Sequence, residues 1–238
     1  MKHVLFILVV SLFLTGARNP QNNGRRSVDP EYIFSKAYRN QWKGSPGLWR
    51  WENDILIGET TSGNPIKRSA FLIWDREVED FLLSISFRIS KDGNSGIYYR
   101  CERGPEGYDD LLGYQADIDG QNTYTGIVYE NFINRYRKIL ARQGQLVRIS
   151  ETDSVHAFTF FNNNDQTIRD YVKDNAWNEY ELIVRDALII QKLNGQIVSM
   201  VEDRSRNRVK KGLFGFQLHQ GPPMKVEFRD ARFIDLSR

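Results

Sequence analysis

This chain of 238 residues has little cysteine and little net charge. Its single cysteine, Cys101, allows no internal disulfide and no cysteine-based metal cluster, so we expect a buried, inert thiol. The chain has 33 Lys and Arg against 30 Asp and Glu, for a net charge of +3. The basic residues are spread along the chain, and this distribution does not indicate nucleic-acid binding.

Several familiar catalytic motifs are also missing. The sequence contains no GxSxG elbow, no P-loop, no GxGxxG fingerprint and no HExxH pair. Their absence argues against serine hydrolases, nucleotide-dependent enzymes and zinc proteases of the common types. No apolar run is long enough to span a membrane.

The N-terminus has the pattern of a secretory signal peptide over residues 1–17. Lys2 precedes the apolar run Val4–Leu14, and small residues follow at 15–17. No cysteine follows the run to accept a lipid. We therefore expect a secreted or periplasmic protein with a cleaved signal.

Residues 18–30 are polar and predict a flexible leader, and residues 31–238 predict a single domain. This domain contains about eleven short strand candidates separated by turn signals, with almost no helical periodicity. The pattern predicts an all-β fold, a sandwich or jelly roll of two antiparallel sheets.

Two hairpins are predicted by turn chemistry. The alternating strand Phe81–Ser90 is followed by a Gly- and Asn-rich turn and a return strand, Ile97–Cys101. Later, Asn194 and Gly195 join two apolar strands and predict a type I′ turn, which needs positive φ at both central residues.

Polar residues alternate with apolar ones in the central stretch, Leu111–Tyr129. Side chains in a strand point to opposite faces with period two, so one face carries an amide and two carboxylates. Other predicted strands carry polar residues away from the core in the same way. The full set is Arg88, Tyr98, Arg100, Gln115, Asp117, Asp119, Gln217 and His219.

We expect these polar faces to line one cleft, although each of them could also be an ordinary solvated strand face. Arg88 and Arg100 could instead form cross-strand ion pairs. The cleft could bind a sugar, or it could perform acid–base catalysis with or without a divalent metal ion. His219 precedes a Gly-Pro-Pro loop and is the type of side chain that titrates near neutral pH.

A family resemblance rests on five segments that occur in a characteristic order. They are WRWENDILIGET, DFLLSISFRISKDGNSGIYYR, GYQADIDGQNTYTGIVYE, LNGQ and GFQLHQGPPMKVEFRDARF. From about Glu31 to Leu236 the chain resembles the 3-keto-disaccharide hydrolase domain family. The resemblance implies a concanavalin A-like jelly roll, secreted or periplasmic, that acts on glycosides oxidised at C3.

The resemblance also implies site residues. Asp117, Asp119 and His219 match polar positions in the motifs, while Glu130 and Arg137 are similar to a YE…R segment of one subgroup. The expected catalytic residues are Asp117, Asp119, His219 and Glu130. The expected substrate-binding residues are Arg88, Asn94, Tyr98, Arg100, Gln115, Arg137 and Gln217. The chain departs from many members at Gln115, where they carry a glutamate, so Asp117 or Asp119 must then supply the acid or base.

Three functions therefore remain open. The first is an enzyme that cleaves 3-keto-glycosides or 3-keto-disaccharides by acid–base elimination. The second is a non-catalytic carbohydrate-binding jelly roll, and the third is a structural protein of the cell envelope. Since the chain lacks a dinucleotide fingerprint, we expect a separate sugar 3-dehydrogenase to supply the ketone.

Overall fold

The computed structural model describes residues 29–105, 110–131, 139–160 and 171–237. The predicted signal peptide, nearly all of the predicted leader and Arg137 lie outside these ranges. Within them, no helix has the length and apolar character needed to cross a membrane.

The described residues form two β-sheets and one turn of 3-10 helix at Arg39–Gln41. The strands in chain order are β1 (Glu31–Tyr32), β2 (Trp42–Gly44), β3 (Trp49–Glu52), β4 (Ile55–Thr60), β5 (Ala70–Val78), β6 (Phe81–Ile89), β7 (Asn94–Arg103), β8 (Leu111–Asp119), β9 (Val128–Glu130), β10 (Ile139–Ala141), β11 (Gln145–Ile149), β12 (Val155–Thr159), β13 (Asn178–Arg185), β14 (Leu188–Leu193), β15 (Gln196–Asp203), β16 (Gly212–Leu218) and β17 (Met224–Asp235).

The larger sheet has ten strands in the order β12-β11-β15-β14-β13-β6-β17-β4-β3, with β1 also paired to β17. The smaller sheet has seven, in the order β10-β9-β8-β7-β16-β5-β2. The predicted all-β jelly-roll sandwich is confirmed. The prediction that all strands pair antiparallel is wrong at one place, because β11 pairs with β15 in parallel.

One apolar core lies between the two sheets. On β6, the alternating residues Leu83, Ile85 and Phe87 are buried there as the sequence predicts. Aromatic rings fill the centre, and the ring of Phe216 on β16 lies 4.5 Å from that of Phe228 on β17. Since one strand belongs to each sheet, this contact joins the two layers.

The two predicted hairpins have different outcomes. β14 and β15 pair as predicted, and their turn has φ of 48° at Asn194 and 83° at Gly195. β6 and β7 do not pair, because β6 belongs to the larger sheet and β7 to the smaller one. The turn after Ile89 carries the chain from one layer to the other, so its Gly and Asn residues make a crossover and not a hairpin.

Candidate functional site

The site lies on the face of the smaller sheet that is turned away from the larger one, which we call the outer face. On β8, Tyr114, Ala116 and Ile118 enter the core between the sheets. Gln115 and Asp117 therefore point to the outer face, where they line a cavity of about 600 Å³. The predicted alternation of the central stretch is confirmed.

Three neighbouring strands bring six of the predicted site residues to this cavity. β8 pairs with β7, and β7 pairs with β16, so their outer faces form one continuous surface. The six residues are Asn94, Tyr98, Gln115, Asp117, Gln217 and His219.

Two glutamines and a tyrosine form a hydrogen-bonded floor. Gln115 Nε2 donates to Gln217 Oε1 and to the Ser95 carbonyl, each at 3.3 Å. Gln217 Nε2 in turn donates to the Tyr98 hydroxyl oxygen at 3.2 Å. Since that oxygen accepts a hydrogen bond, the Tyr98 hydroxyl hydrogen is available for another acceptor.

The Tyr98 hydroxyl stays protonated at neutral pH. Burial raises its pKa well above the usual value, and the nearby charge of Asp117 raises it further. The ring of Tyr98 is held by an edge-to-face contact with Phe71 at 5.1 Å between centroids. Tyr98 is thus a fixed hydrogen-bond donor on the cavity floor.

Asp117 is the group with the most perturbed chemistry in the cavity. Its side chain is buried, and Oδ1 has no hydrogen-bond partner among the described residues. Burial raises the pKa of its carboxyl well above the usual value, and the charge of Asp119 raises it further. A carboxylate with a raised pKa is a stronger base, so Asp117 suits the abstraction of a proton.

His219 follows the last residue of β16 and is exposed at the cavity edge. Its backbone N–H donates to the Asn94 carbonyl at 3.1 Å, which fixes the chain there. Its Nδ1 lies 2.6 Å from the Gln220 carbonyl oxygen. Because a carbonyl oxygen only accepts, Nδ1 carries a hydrogen, and Nε2 is the atom that can exchange a proton with a ligand.

Asp119 does not line the cavity. Its Oδ1 accepts the backbone N–H groups of Gln121 at 2.8 Å and Thr123 at 3.2 Å, and its Oδ2 accepts that of Tyr124. These bonds occupy both carboxylate oxygens. The sequence predicts that Asp119 supplies acid or base to the cleft. The structure instead places its carboxylate outside the cavity, where it organises a loop.

Glu130 is separated from the cavity by the sheet. On β9, Val128 enters the core and Tyr129 lines the cavity, so Glu130 shares the core side with Val128. It is 1% exposed and stands opposite Tyr114 in the β8–β9 pair. The register thus places this predicted catalytic residue on the wrong face.

Arg88 and Arg100 are also absent from the cavity, for two different reasons. Arg88 belongs to β6 of the larger sheet, where its Nε donates to Glu227 Oε2 at 2.7 Å. Its guanidinium also lies 5.0 Å from the Trp177 ring. Arg88 therefore forms the cross-strand ion pair that the sequence left open. Its partner Glu227 stands opposite it on the neighbouring strand β17.

Arg100 is displaced by a β-bulge. It has φ of 51°, and the β7–β8 register shifts between Tyr99 and Glu102. Tyr98 and Cys101 consequently both face outward, which breaks the period-two alternation. The expectation that Tyr98 and Arg100 share a face is wrong, because the extra residue of the bulge shifts the in-and-out alternation of side chains by one position.

The Arg100 side chain instead ties β7 to turns of the larger sheet. Its Nε donates to the Glu79 carbonyl at 2.8 Å and its Nη1 to the Asp186 carbonyl at 2.8 Å. Its Nη2 forms an ion pair with Asp80 at 2.9 Å. The side chain is 2% exposed, so it serves the connection between the sheets.

The cavity also contains residues that the sequence did not single out. Phe71 comes from β5, Tyr129 from β9 and Tyr124 from the loop between β8 and β9. Tyr129 could have been found from register, since it stands opposite Gln115. Tyr124 could not, because loop residues follow no alternation.

Arg68 and Asp110 lie at the cavity wall. Within the described ranges, no group of three or more His, Cys, Asp and Glu side chains lies close enough to hold a metal ion.

Solved structures with the same fold are known. The chain superposes with a TM-score of 0.57 on a Parabacteroides distasonis protein described as a "putative glycosyl hydrolase", at 15% identity, covering 87% of this chain and 99% of that one. A second protein of the same description and organism gives 0.55 at 17% identity, covering 88% and 94%. The carbohydrate-binding module CBM66 of Bacillus subtilis gives 0.53 at 13% identity, covering 82% and 96%. These identities establish a shared fold only.

No curated protein gives a significant match to the sequence. The sequence model of the 3-keto-alpha-glucoside-1,2-lyase-like domain matches residues 32–234, which is most of the chain. This span includes both sheets and every described residue of the cavity. The chain therefore belongs to the family of 3-keto-alpha-glucoside-1,2-lyase-like domains.

Proposed function

We propose that this protein cleaves the glycosidic bond of a 3-keto-glycoside by elimination, with Asp117 as the base. The observation that carries the proposal is the state of Asp117 on the cavity floor. It is a buried carboxyl with a raised pKa and a partner-free Oδ1, in a cavity large enough for a sugar.

The reaction needs one base and two donors. A ketone at C3 makes the hydrogen on C2 acidic, and the Asp117 carboxylate takes it as a proton. The electron pair of the broken C–H bond forms an enolate on C2, C3 and the ketone oxygen. The enolate collapses to a C1–C2 double bond, the bond from C1 to the leaving oxygen breaks, and that oxygen takes up a proton.

The remaining groups of the cavity match these needs. The Tyr98 hydroxyl and the glutamine amides can donate to the oxygen on which the enolate charge develops. His219 Nε2, at the exposed edge, can protonate the leaving oxygen. The site then returns to its starting state when Asp117 releases its proton to water and His219 takes one up.

The decisive test compares a chromogenic 3-keto-glucoside with its unoxidised parent, using native protein, Asp117→Asn and Asp75→Asn. Asp75 is an exposed residue of β5 and does not line the cavity, so its variant is the matched control. We expect turnover of the keto sugar alone, unchanged in the control and reduced by about a hundredfold or more in Asp117→Asn. Full activity in Asp117→Asn would refute the assignment.

A second candidate function, a non-catalytic carbohydrate-binding module, is favoured by the amide-rich floor. Gln115 and Gln217 bind hydroxyl groups well but transfer no proton at neutral pH. This candidate predicts saturable binding of a sugar without release of the chromophore. The same assay, with calorimetry beside it, separates the two functions.

The cellular setting is also part of the proposal. The N-terminal sequence supports a secreted or periplasmic enzyme, and the absent dinucleotide fingerprint supports a separate sugar 3-dehydrogenase upstream. N-terminal sequencing of protein recovered from outside the cytoplasm tests the first point. A start near residue 18 is expected, and an intact Met1 would contradict it.

A further inference from the structure

Tyr124 is a large aromatic residue exposed at the cavity wall. It is 45% exposed, whereas Tyr98 on the floor is 2% exposed. A tyrosine ring left in contact with water loses the gain of burial, unless a ligand covers it. It lines the same cavity as the amide and hydroxyl groups of the floor, so a ligand in that cavity can cover the ring.

The loop that carries Tyr124 is tied down on several sides. Asp119 holds the backbone N–H of Tyr124, and the Thr125 hydroxyl donates to the Asp119 carbonyl at 2.9 Å. Further along, Asn122 Nδ2 donates to Asp174 Oδ1 at 2.7 Å, which fixes the loop to a more distant segment. A ring on such a loop is held ready before the ligand arrives, so little conformational entropy is lost on binding.

The loop and His219 lie at the same end of the smaller sheet. Asp119, the last residue of β8, stands opposite Asn94, the first residue of β7. The carbonyl of Asn94 accepts the backbone N–H of His219 at 3.1 Å. Tyr124 and the proposed proton donor to the leaving oxygen are therefore at one end of the cavity, and both are exposed there.

We infer that Tyr124 is the stacking platform for the leaving group, a second sugar or a flat aglycone, and that Asp119 positions it. The inference rests on the proposed function for the identity of the leaving group. With the 3-keto sugar over the buried Asp117, the bond from C1 directs the leaving group towards the exposed end. Its apolar face then lies against the ring of Tyr124.

The test measures kcat and KM for two 3-keto-glucosides, one with a p-nitrophenyl and one with a methyl leaving group. Tyr124→Ala should lower kcat/KM for the aryl substrate by roughly three- to tenfold, through KM. The methyl substrate has nothing to stack, so its constants should stay within about twofold of the native values. Tyr124→Trp should retain the native preference, and Tyr32→Ala, at an exposed tyrosine outside the cavity, is the control.

The positioning role of Asp119 is tested by a double-mutant cycle. Asp119→Asn should lower the aryl-to-methyl ratio of kcat/KM in the native background and leave it unchanged in the Tyr124→Ala background. A merely structural role, or the effect of the lost charge on Asp117, would change activity on both substrates by the same factor and leave their ratio unchanged in both backgrounds. If Asp119→Asn does not fold, the same cycle with Thr125→Val, which removes the hydroxyl that bonds to the Asp119 backbone, tests whether the loop positions Tyr124.

The outcomes separate this inference from the proposed function. If the native protein cleaves neither substrate, the proposed function fails. Calorimetry with phenyl and methyl glucosides then tests the platform alone, and a native preference for phenyl that Tyr124→Ala abolishes supports it. If Tyr124→Ala leaves the native aryl-to-methyl ratio unchanged, in turnover or in binding, the inference is overturned.

Discussion

Asp117 and Asp119 show how two identical side chains on one strand acquire different roles. Both are buried on β8, and one residue separates them. Asp119 accepts three backbone N–H groups, which satisfy its charge. Asp117 Oδ1 has no such donor among the described residues, so burial acts against its ionisation. One carboxylate organises a loop, and the other has a raised pKa on the cavity floor.

The raised pKa of Asp117 predicts a pH-dependent stability difference. Between the unfolded pKa of about 3.9 and the higher folded value, the folded protein retains a proton that the unfolded chain has released. The free energy of unfolding therefore falls as pH rises through this window. Asp117→Asn does not titrate, so its advantage over the native protein should grow above about pH 4. The growth is about 1.4 kcal/mol for each unit by which the pKa is raised.

Urea unfolding of both proteins across the pH range measures this difference. Asp119→Asn is the matched control, because it weakens the hydrogen bonds that the Asp119 carboxylate accepts from three backbone N–H groups. We expect it to lower stability by about 1 kcal/mol, a change of opposite sign. A stability difference between Asp117→Asn and native protein that does not vary with pH would rule out the raised pKa.

Two arginines that the sequence treats alike are distinguished by burial. Arg100 is 2% exposed and Arg88 is 37% exposed at the side chain. Replacing Arg100 by methionine removes three hydrogen-bonded contacts and the ion-pair partner of Asp80, which keeps the backbone N–H of Asp186 at 2.8 Å. We expect a loss of about 3–5 kcal/mol in unfolding free energy. KM of the folded protein should not change, because Arg100 is outside the cavity.

Arg88→Met is the control for this experiment. Its partner Glu227 keeps Lys225 at 3.2 Å, so the expected loss is about 1 kcal/mol or less. Thermal unfolding with activity measured below the transition covers both variants. A raised KM in Arg100→Met, with little loss of stability, would return Arg100 to the substrate-binding set.

At the scale of elements, alternation was sufficient to predict faces but not partners. The strand β6 and the central strand β8 both bury the side chains that their patterns indicate. Pairing was harder, because a short polar turn looks the same in a hairpin and in a crossover between sheets. The bulge at Arg100 was also invisible, since no residue type requires it, and it reversed one face assignment.

Gly96 of β7 and Gly120 of the loop after β8 give an element-scale prediction about the cavity floor. A Cβ atom on Gly96 would meet the side chain of Gln115, with Cγ at 2.7 Å. A side chain can move, so we expect Gly96→Ala to fold. The displaced Gln115 would lose its bond to Gln217, and kcat/KM should fall by about tenfold to a hundredfold.

Gly120→Ala provides the contrast. A Cβ atom there would meet backbone, with the Lys91 carbonyl oxygen at 2.5 Å, and backbone cannot move aside as a side chain can. We expect a loss of about 1–3 kcal/mol in stability. Kinetics and thermal unfolding of both variants check the pair. An active Gly96→Ala would show that the Gln115–Gln217 bond is dispensable.

At the scale of the whole molecule, the two sheets share one core while the site occupies an outer face. Neither sheet can keep its inner face buried alone, since the core residues come from both. Two cavity residues, Phe71 and Tyr98, pack with Cys101 in a smaller apolar cluster that is separate from the core. The site can therefore carry an unfavourable buried carboxyl without weakening the contact between the layers.

The shared core predicts a single cooperative unfolding transition. Phe216 and Phe228 belong to different sheets and their rings lie 4.5 Å apart, so truncating either one affects both layers. We expect Phe216→Ala to cost about 3–5 kcal/mol and to shift the tryptophan-fluorescence and far-ultraviolet circular dichroism transitions together. Phe158→Ala, at a ring that is 49% exposed on β12, should change stability by about 0.5 kcal/mol or less. Two separate transitions in Phe216→Ala would mean that one sheet stays folded without the other, and the core could not then be the common support of both.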